Sequence, residues 1–309
     1  MSGASAPVSA AADDGIGELR RAASQRLAAA GYASAALEAD LLLSLATGLE
    51  RGQLFAWPER AVDAAQRQRF EQLLTRRVAG EPIAYLLQQR AFWSLELRVS
   101  RATLIPRPET ETLVELALRA LPADQALRVA DLGTGSGAIA AALAHERPRW
   151  SLIGLERDPD ALAIAALNAA RLQLDNLSLM RGHWSSALGR ASLDALIANP
   201  PYVRADDPHL GQGDLRFEPR AALVAGADGL LAIRALIADA PRCLKPGGLL
   251  AIEHGWDQGA DVRALMQQQG LEAIETWRDL AGQERVTQAI LSPRLNARPH
   301  ENLDQRPLD

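Results

Sequence analysis

From Gly15 to Gly80 apolar residues recur at i, i+3 and i+4, the spacing of one buried helical face. The segments GIGELRRAASQRLAAAG, SAALEADLLLSLATG and AVDAAQRQRFEQLLTRRVAG each carry such a stripe and predict three helices. Ser34 offers an N-cap, and Gly31, Gly48 and Gly80 stand where helices should stop. The period then changes. FWSLELRVS alternates and predicts one strand of a hairpin, preceded by AYLLQQR. ATLIPRPETE follows, with two prolines and a helix start at Thr110.

From Ala126 onward strand and helix patterns alternate. LRVADLG, SLIGLE, LSLMRG, LDALIAN and GGLLAIEH read as strands. SGAIAAALAHE, PDALAIAALNAARL, GLLAIRALIADAPRCL and DQGADVRALMQQQG read as helices. Two last strands, LEAIETWR and ERVTQAILS, are close enough to pair antiparallel. Such alternation predicts an α/β domain with a doubly wound, seven-stranded sheet, parallel except for the terminal hairpin. The expected organisation is a disordered N-terminus (1–14), a small helical bundle (15–84), a β-hairpin linker (85–104), an α/β domain (105–293) and a disordered tail (294–309).

Composition narrows the function classes. The chain has 309 residues, 48% hydrophobic and 23% charged, with a formal net charge of -5, ordinary for a globular protein. That charge argues against a protein gripping nucleic acid through broad electrostatics, though a local basic face stays possible. Up to Ser100 the charges balance, 11 acidic against 11 arginine. The single cysteine, Cys243, excludes a disulfide framework and reads as core filler. Five scattered histidines at no ligand spacing predict no metal site. The small, acidic N-terminal stretch is unlike a secretory signal, and no run approaches the ~20 apolar residues of a membrane span. A cytoplasmic protein without membrane attachment is expected, and nothing demands more than a monomer.

The first strand of the α/β part ends in VADLGTGSGAIA, a glycine-rich turn opening into a helix. Gly133, Gly135 and Gly137 allow the backbone to approach a ligand, and helix N–H groups then face it. The spacing G-x-G-x-G departs from the dinucleotide fingerprint. Asp131, two residues before the first glycine, would sit poorly beside a pyrophosphate but well beside the ammonium of a methionine moiety. S-adenosylmethionine is therefore expected rather than NAD. Glu156 ends the second strand, where a carboxylate can accept both ribose hydroxyls.

LDALIA then runs into Asn199, Pro200, Pro201 and Tyr202. Two prolines cannot continue a sheet, and Asn199 before Pro200 is held extended. An amide or aromatic-amine nitrogen is a weak nucleophile because its lone pair is delocalised. Accepting hydrogen bonds from both of its N–H bonds turns the lone pair toward an incoming methyl group. Asn199 Oδ1 and the Pro200 carbonyl can do this, held still by the prolines. Tyr202 offers an apolar face to the planar group. By itself the motif fits a glutamine amide, adenine N6 or guanine N2.

Together, GEPIAYLLQQRAFWSLELRVS, LIPRPETE, DLGTGSG, NPPY, DPHLGQGDLRFEP and EHGW resemble the release-factor N5-glutamine methyltransferases, the PrmC/HemK group. The resemblance spans Gly80 to Trp256 and implies a Rossmann-like S-adenosylmethionine-dependent domain behind a helical substrate-recognition domain. It implies methylation of the glutamine in the Gly-Gly-Gln loop of class I peptide chain release factors, leaving S-adenosylhomocysteine. It places the cofactor on Gly133, Thr134, Gly135, Ser136 and Gly137, its ribose on Glu156, its adenine beside Trp184, and its methyl near Asn199. The substrate glutamine falls on Asn199, Pro200, Pro201 and Tyr202. Two positions depart from the family: Glu156 where Asp is commoner, and His183 where an acid often precedes the tryptophan. Arg107, Glu109, Arg216 and Glu218 admit two readings, a wall of the glutamine channel or pairs that lock the joint between domains. Trp93 and Trp256 read as packing residues. The rivals are a nucleic-acid amino-methyltransferase, a non-catalytic binder and, more distantly, a dinucleotide oxidoreductase.

Overall fold

The computed structural model describes residues 15–293, so the two ends expected to be disordered lie outside the described residues. The chain divides into two compact units between Gln88 and Gln89. In the first unit the three expected helices form as α1 (Ile16–Ala29), α2 (Ala35–Thr47) and α4 (Ala64–Val78). Two short helices were not foreseen, α3 (Arg51–Ala56) and α5 (Ile83–Leu87). Each is too short to show a 3.6-residue period, and α3 is instead set by a capping box between Glu50 and Gln53. Ile16, Leu27, Leu42, Leu43, Phe70 and Leu74 form its buried core.

One cation is folded into that unit. Arg77 is 4% exposed. Its guanidinium donates to Glu38 at 2.6 and 3.1 Å and to the Glu81 carbonyl at 2.9 Å. It also lies 3.7 Å over the Tyr32 ring, whose hydroxyl donates back to the Arg77 carbonyl. Every face of the buried charge is thus compensated.

The second unit opens with the hairpin, β1 (Gln89–Phe92) and β2 (Leu95–Arg98), turned at Trp93 with φ of 55°. The expected linker began at 85, but Tyr85 to Leu87 belong to α5. A 3₁₀ turn, Pro108–Thr110, leads into α6 (Glu111–Ala120). Then come β3 (Arg128–Leu132), α7 (Ala138–Glu146), β4 (Ser151–Glu156), α8 (Pro159–Arg171), β5 (Leu177–Arg181) and β6 (Leu193–Ala198). After a stretch of 3₁₀ turns follow α9 (Leu231–Cys243), β7 (Leu244–Glu253), α10 (Gly259–Gln268), β8 (Leu271–Arg278) and β9 (Glu284–Leu291). The sheet order is β5-β4-β3-β6-β7-β9-β8, with β9 antiparallel to both neighbours. The expected seven strands, the parallel core and the closing hairpin are all present. One apolar layer packs α6 and α7 on the sheet; the other packs α9 and α10, and takes in Cys243. No helix among the described residues is long and apolar enough to cross a membrane.

Removing the buried guanidinium tests the first unit. Arg77→Ala strands Glu38 without a partner and should destabilise that unit by about 3–5 kcal/mol. Urea unfolding followed by circular dichroism measures it, and a loss below ~1 kcal/mol would show the pair to be incidental.

Candidate active site

The parallel register fixes the site. Asp131 on β3 lies level with Gly154 on β4 and with Ile197 on β6. Two residues further on, where each strand ends, the chain presents Gly133, Glu156 and Asn199. Ala198 is level with Ile252 on β7, so Glu253 follows at the same height as Asn199. Four chain segments distant in sequence therefore converge on one edge of the sheet. Three of them, at Gly133, Glu156 and Asn199, border a cavity of about 630 Å³.

The glycine turn forms one wall. Gly133, Gly135 and Gly137 all take positive φ, at 75°, 57° and 83°. The N–H groups of Gly133 and Thr134 both donate to the Leu155 carbonyl at 2.9 Å, pinning the turn to β4. A Cβ on Gly133 would come within 3.1 Å of the Trp184 ring, so ring and bare backbone are fitted to each other. Asn168, buried on α8, bridges this loop to the hairpin. Its amide donates to the Ser136 carbonyl at 2.8 Å and to the Arg98 carbonyl at 2.9 Å.

Two carboxylates set the electrostatics. Glu156 lines the cavity, where its Oε2 accepts from Gly135 N at 3.0 Å and Oε1 from the N–H groups of Arg157 and Asp158. Asp131 is 1% exposed and lies off the cavity wall, beside the loop. Its Oδ2 accepts from Thr134 Oγ1 at 2.6 Å and from Ala140 N at 3.2 Å, while Oδ1 has no partner. Burial, with the nearby Glu156 charge adding to it, pushes its pKa up to about 6 despite the two donors.

Asn199 and Pro201 line the cavity, and Pro200 is buried behind them. Asn199 Nδ2 donates to Thr110 Oγ1 at 3.1 Å, which leaves its Oδ1 for a ligand. Tyr202 does not line this cavity but borders a neighbouring one, and its hydroxyl donates to Glu253 Oε1 at 3.3 Å. Burial raises the phenol's pKa, and the Glu253 charge adds to that. Arg107 lines the cavity and pairs with Glu218, which is buried and also accepts from Ile105 N at 3.1 Å. Both partners belong to the second unit. His183 and Trp184 line the same cavity, their rings tilted 58° apart with centroids at 5.7 Å.

Of the residues singled out in the sequence, Gly133, Thr134, Gly135, Ser136, Glu156, Trp184, Asn199, Pro201 and Arg107 share the cavity wall. Asp131, Gly137, Pro200, Tyr202 and Glu218 stand beside or behind it. Sequence reading missed Thr110, Asn168 and Glu253 as parts of the site. It also missed the apolar wall supplied by Ile139, Leu231, Ala232 and Ala235.

Residues 18–87 match the family model described as PrmC N-terminal domain, and residues 110–212 that described as methyltransferase small domain. The chain is 52% identical over 254 residues to a release factor glutamine methyltransferase of Pseudomonas aeruginosa, covering 82% of this chain and 92% of that one. A release factor glutamine methyltransferase of Escherichia coli is 48% identical over 250 residues, 81% and 90% of the two chains. Among solved structures, a methyltransferase from Pyrococcus furiosus superposes with a TM-score of 0.50 at 16% identity, over 72% of this chain and 99% of that one, a likeness of fold.

The buried charge of Asp131 has a measurable cost. Its folded pKa lies above the ordinary 3.8, so the folded state holds the proton more tightly. Stability from this group is full below the unfolded pKa and is lost as pH rises through about 6. Asp131→Asn, which keeps an acceptor for Thr134, should raise stability at pH 8 by on the order of 2–3 kcal/mol. The gain should shrink by pH 5. Thermal unfolding at both pH values checks this, and an equal gain at each would refute the electrostatic origin.

Proposed function

The chain belongs to the release factor glutamine methyltransferase family, and on that premise we propose that it transfers a methyl group from S-adenosylmethionine to the side-chain amide nitrogen (N5) of a glutamine. The glutamine is that of the Gly-Gly-Gln motif in class I peptide chain release factors. The reaction takes place in the cytoplasm, supports translation termination and needs one copy of the chain. The observation that carries the reading is Asn199, on the cavity wall with Nδ2 committed to Thr110 and Oδ1 uncommitted.

The residues present fit the cofactor. A cavity of about 630 Å³ suits a nucleoside of this size, and the orphaned Asp131 Oδ1 behind its wall calls for a cation nearby. Gly133 to Gly137 would hold the methionine part, Glu156 the ribose hydroxyls and Trp184 the adenine face. Asp131 acts on that cation through the loop, as a field rather than a contact. When bound, S-adenosylmethionine supplies an electrophilic methyl group on a sulfonium.

The protein's own work is aiming. Asn199 Oδ1 accepts from one N–H of the substrate amide and the Pro200 carbonyl from the other, which turns the nitrogen lone pair toward the methyl group. The rigid prolines keep both acceptors in place, so little reorganisation accompanies the reaction. No general base is required, because methyl transfer to the neutral nitrogen leaves an N-protonated amide cation, a strong acid that loses its proton to solvent. Tyr202 suits this account as packing: its hydroxyl is spent on Glu253, and its raised pKa removes it from proton transfer. Arg107, held by Glu218, would border the channel for the incoming loop.

Two measurements follow. With labelled S-adenosylmethionine, purified release factor and total nucleic acid offered together, tandem mass spectrometry should place the label on the glutamine amide. Label confined to nucleic acid would overturn the substrate. Asn199→Ala should leave cofactor affinity within about twofold and lower kcat by about 10²-fold or more, the size of one preorganised donor–acceptor contact. Unchanged turnover would remove Asn199 from the mechanism.

A further inference from the structure

Thr110 stands at the N-cap of α6, where a threonine hydroxyl ordinarily accepts from the helix backbone. Here it makes no such bond. Its side chain turns instead to Asn199, accepting from Nδ2 at 3.1 Å, and the residue is 4% exposed. A buried hydroxyl that accepts must still place its own proton. Near it lies Glu253, 1% exposed, whose Oε1 accepts from the Tyr202 hydroxyl and whose Oε2 has no hydrogen-bond partner. The Thr110 hydroxyl is among the groups that hold the pKa of this carboxyl down.

We propose that Thr110 and Glu253 are positioning residues: the Glu253 carboxylate takes the Thr110 proton, so that Thr110 Oγ1 can only accept, and the Asn199 amide is thereby fixed with its oxygen toward the cavity. This rests on the role given to Asn199 above. The logic is one of proton parity. An amide side chain fits its space almost equally well in two orientations, and only its partners distinguish oxygen from nitrogen. If the Thr110 proton were free, it could donate to Asn199 Oδ1 and turn the NH2 toward the substrate. Two donors would then face each other, and the lone pair would not be aimed. An uncharged Glu253 permits that inversion, since a carboxylic acid can donate to Thr110 and release the hydroxyl proton toward Asn199.

The groups facing Glu253 are the Tyr202 hydroxyl after β6, Thr110 and Glu109 from the turn before α6, and Arg285 from β9. Burial outweighs Thr110, Arg285 and Tyr202, which act in the opposite sense, and lifts the carboxyl to about 7. The carboxylate form, and with it the working orientation of Asn199, is lost as pH falls through that value.

The test compares Thr110→Val, which keeps the shape and removes the hydroxyl, with Thr110→Ser, which keeps the hydroxyl, and with Glu253→Gln. Cofactor affinity is read by calorimetry, and kcat with purified release factor across pH 6 to 8. Thr110→Val should bind cofactor within about twofold of the parent and lose about 10²-fold in kcat, the cost of misplacing one reacting contact. Thr110→Ser should recover most of the loss. The parent kcat should rise with pH through neutrality, and Glu253→Gln should flatten that rise. Thr110→Val turning over within twofold of the parent overturns the proposal. Should that variant fail to fold, a Glu253→Gln profile unchanged in shape overturns it instead. The Asn199→Ala variant separates the two levels. If it collapses while Thr110→Val does not, only the relay fails; if neither loses turnover, the role of Asn199 fails with it.

Discussion

Parallel strands in register leave the sheet at the same height, and here that height brings the site together. Asp131, Gly154 and Ile197 are level, so the residues two further along emerge side by side at the carboxyl edge. A parallel sheet buried on both faces cannot slip by one residue without turning each strand's apolar set inside out. Val129, Leu152, Ala195 and Leu249 face one apolar layer, while Ala130, Ile153, Leu196 and Leu250 face the other. The hydrophobic core therefore holds Glu156 and Asn199 opposite the glycine turn more firmly than any polar contact at the site.

Against this background the polar groups at the edge are in tension with the fold. Asp131 and Glu253 are buried carboxyls whose proton affinity is raised, and each keeps an oxygen without a partner. A core built for stability alone would have replaced them with apolar residues. Both lie within one residue of the edge where the strands end. The same fold compensates its buried charge fully where no ligand is called for, as around Arg77.

The sequence revealed what is written within a few consecutive residues. The glycine turn, Asn199 before two prolines, and the alternation of strand and helix were all legible because their causes are local. Thr110 was legible only as a helix start, since its hydroxyl meets Asn199 across 89 residues of chain. Asn168 looked like any polar residue on a helix until its contacts with Arg98 and Ser136 appeared, the former 70 residues away. Asp131 was tied to the loop by its spacing from Gly133, but spacing does not show that its carboxylate is buried off the cavity wall. The short helices α3 and α5 escaped because one turn has no period to detect. The family resemblance supplied the substrate, which no local pattern encodes.

The buried carboxylate beside the glycine loop also bears on how the enzyme lets go. On the proposed assignment the incoming cofactor is a cation at sulfur, and the spent one is a neutral thioether of almost the same shape. Contacts with adenine and ribose cannot tell the two apart. A fixed negative field can in part: both forms carry the methionine ammonium, but only the incoming one is also charged at sulfur, and in a site screened from water that difference is strengthened. On that assignment the Asp131 field reaching the sulfur would favour the incoming cofactor over the spent one, and so favour exchange.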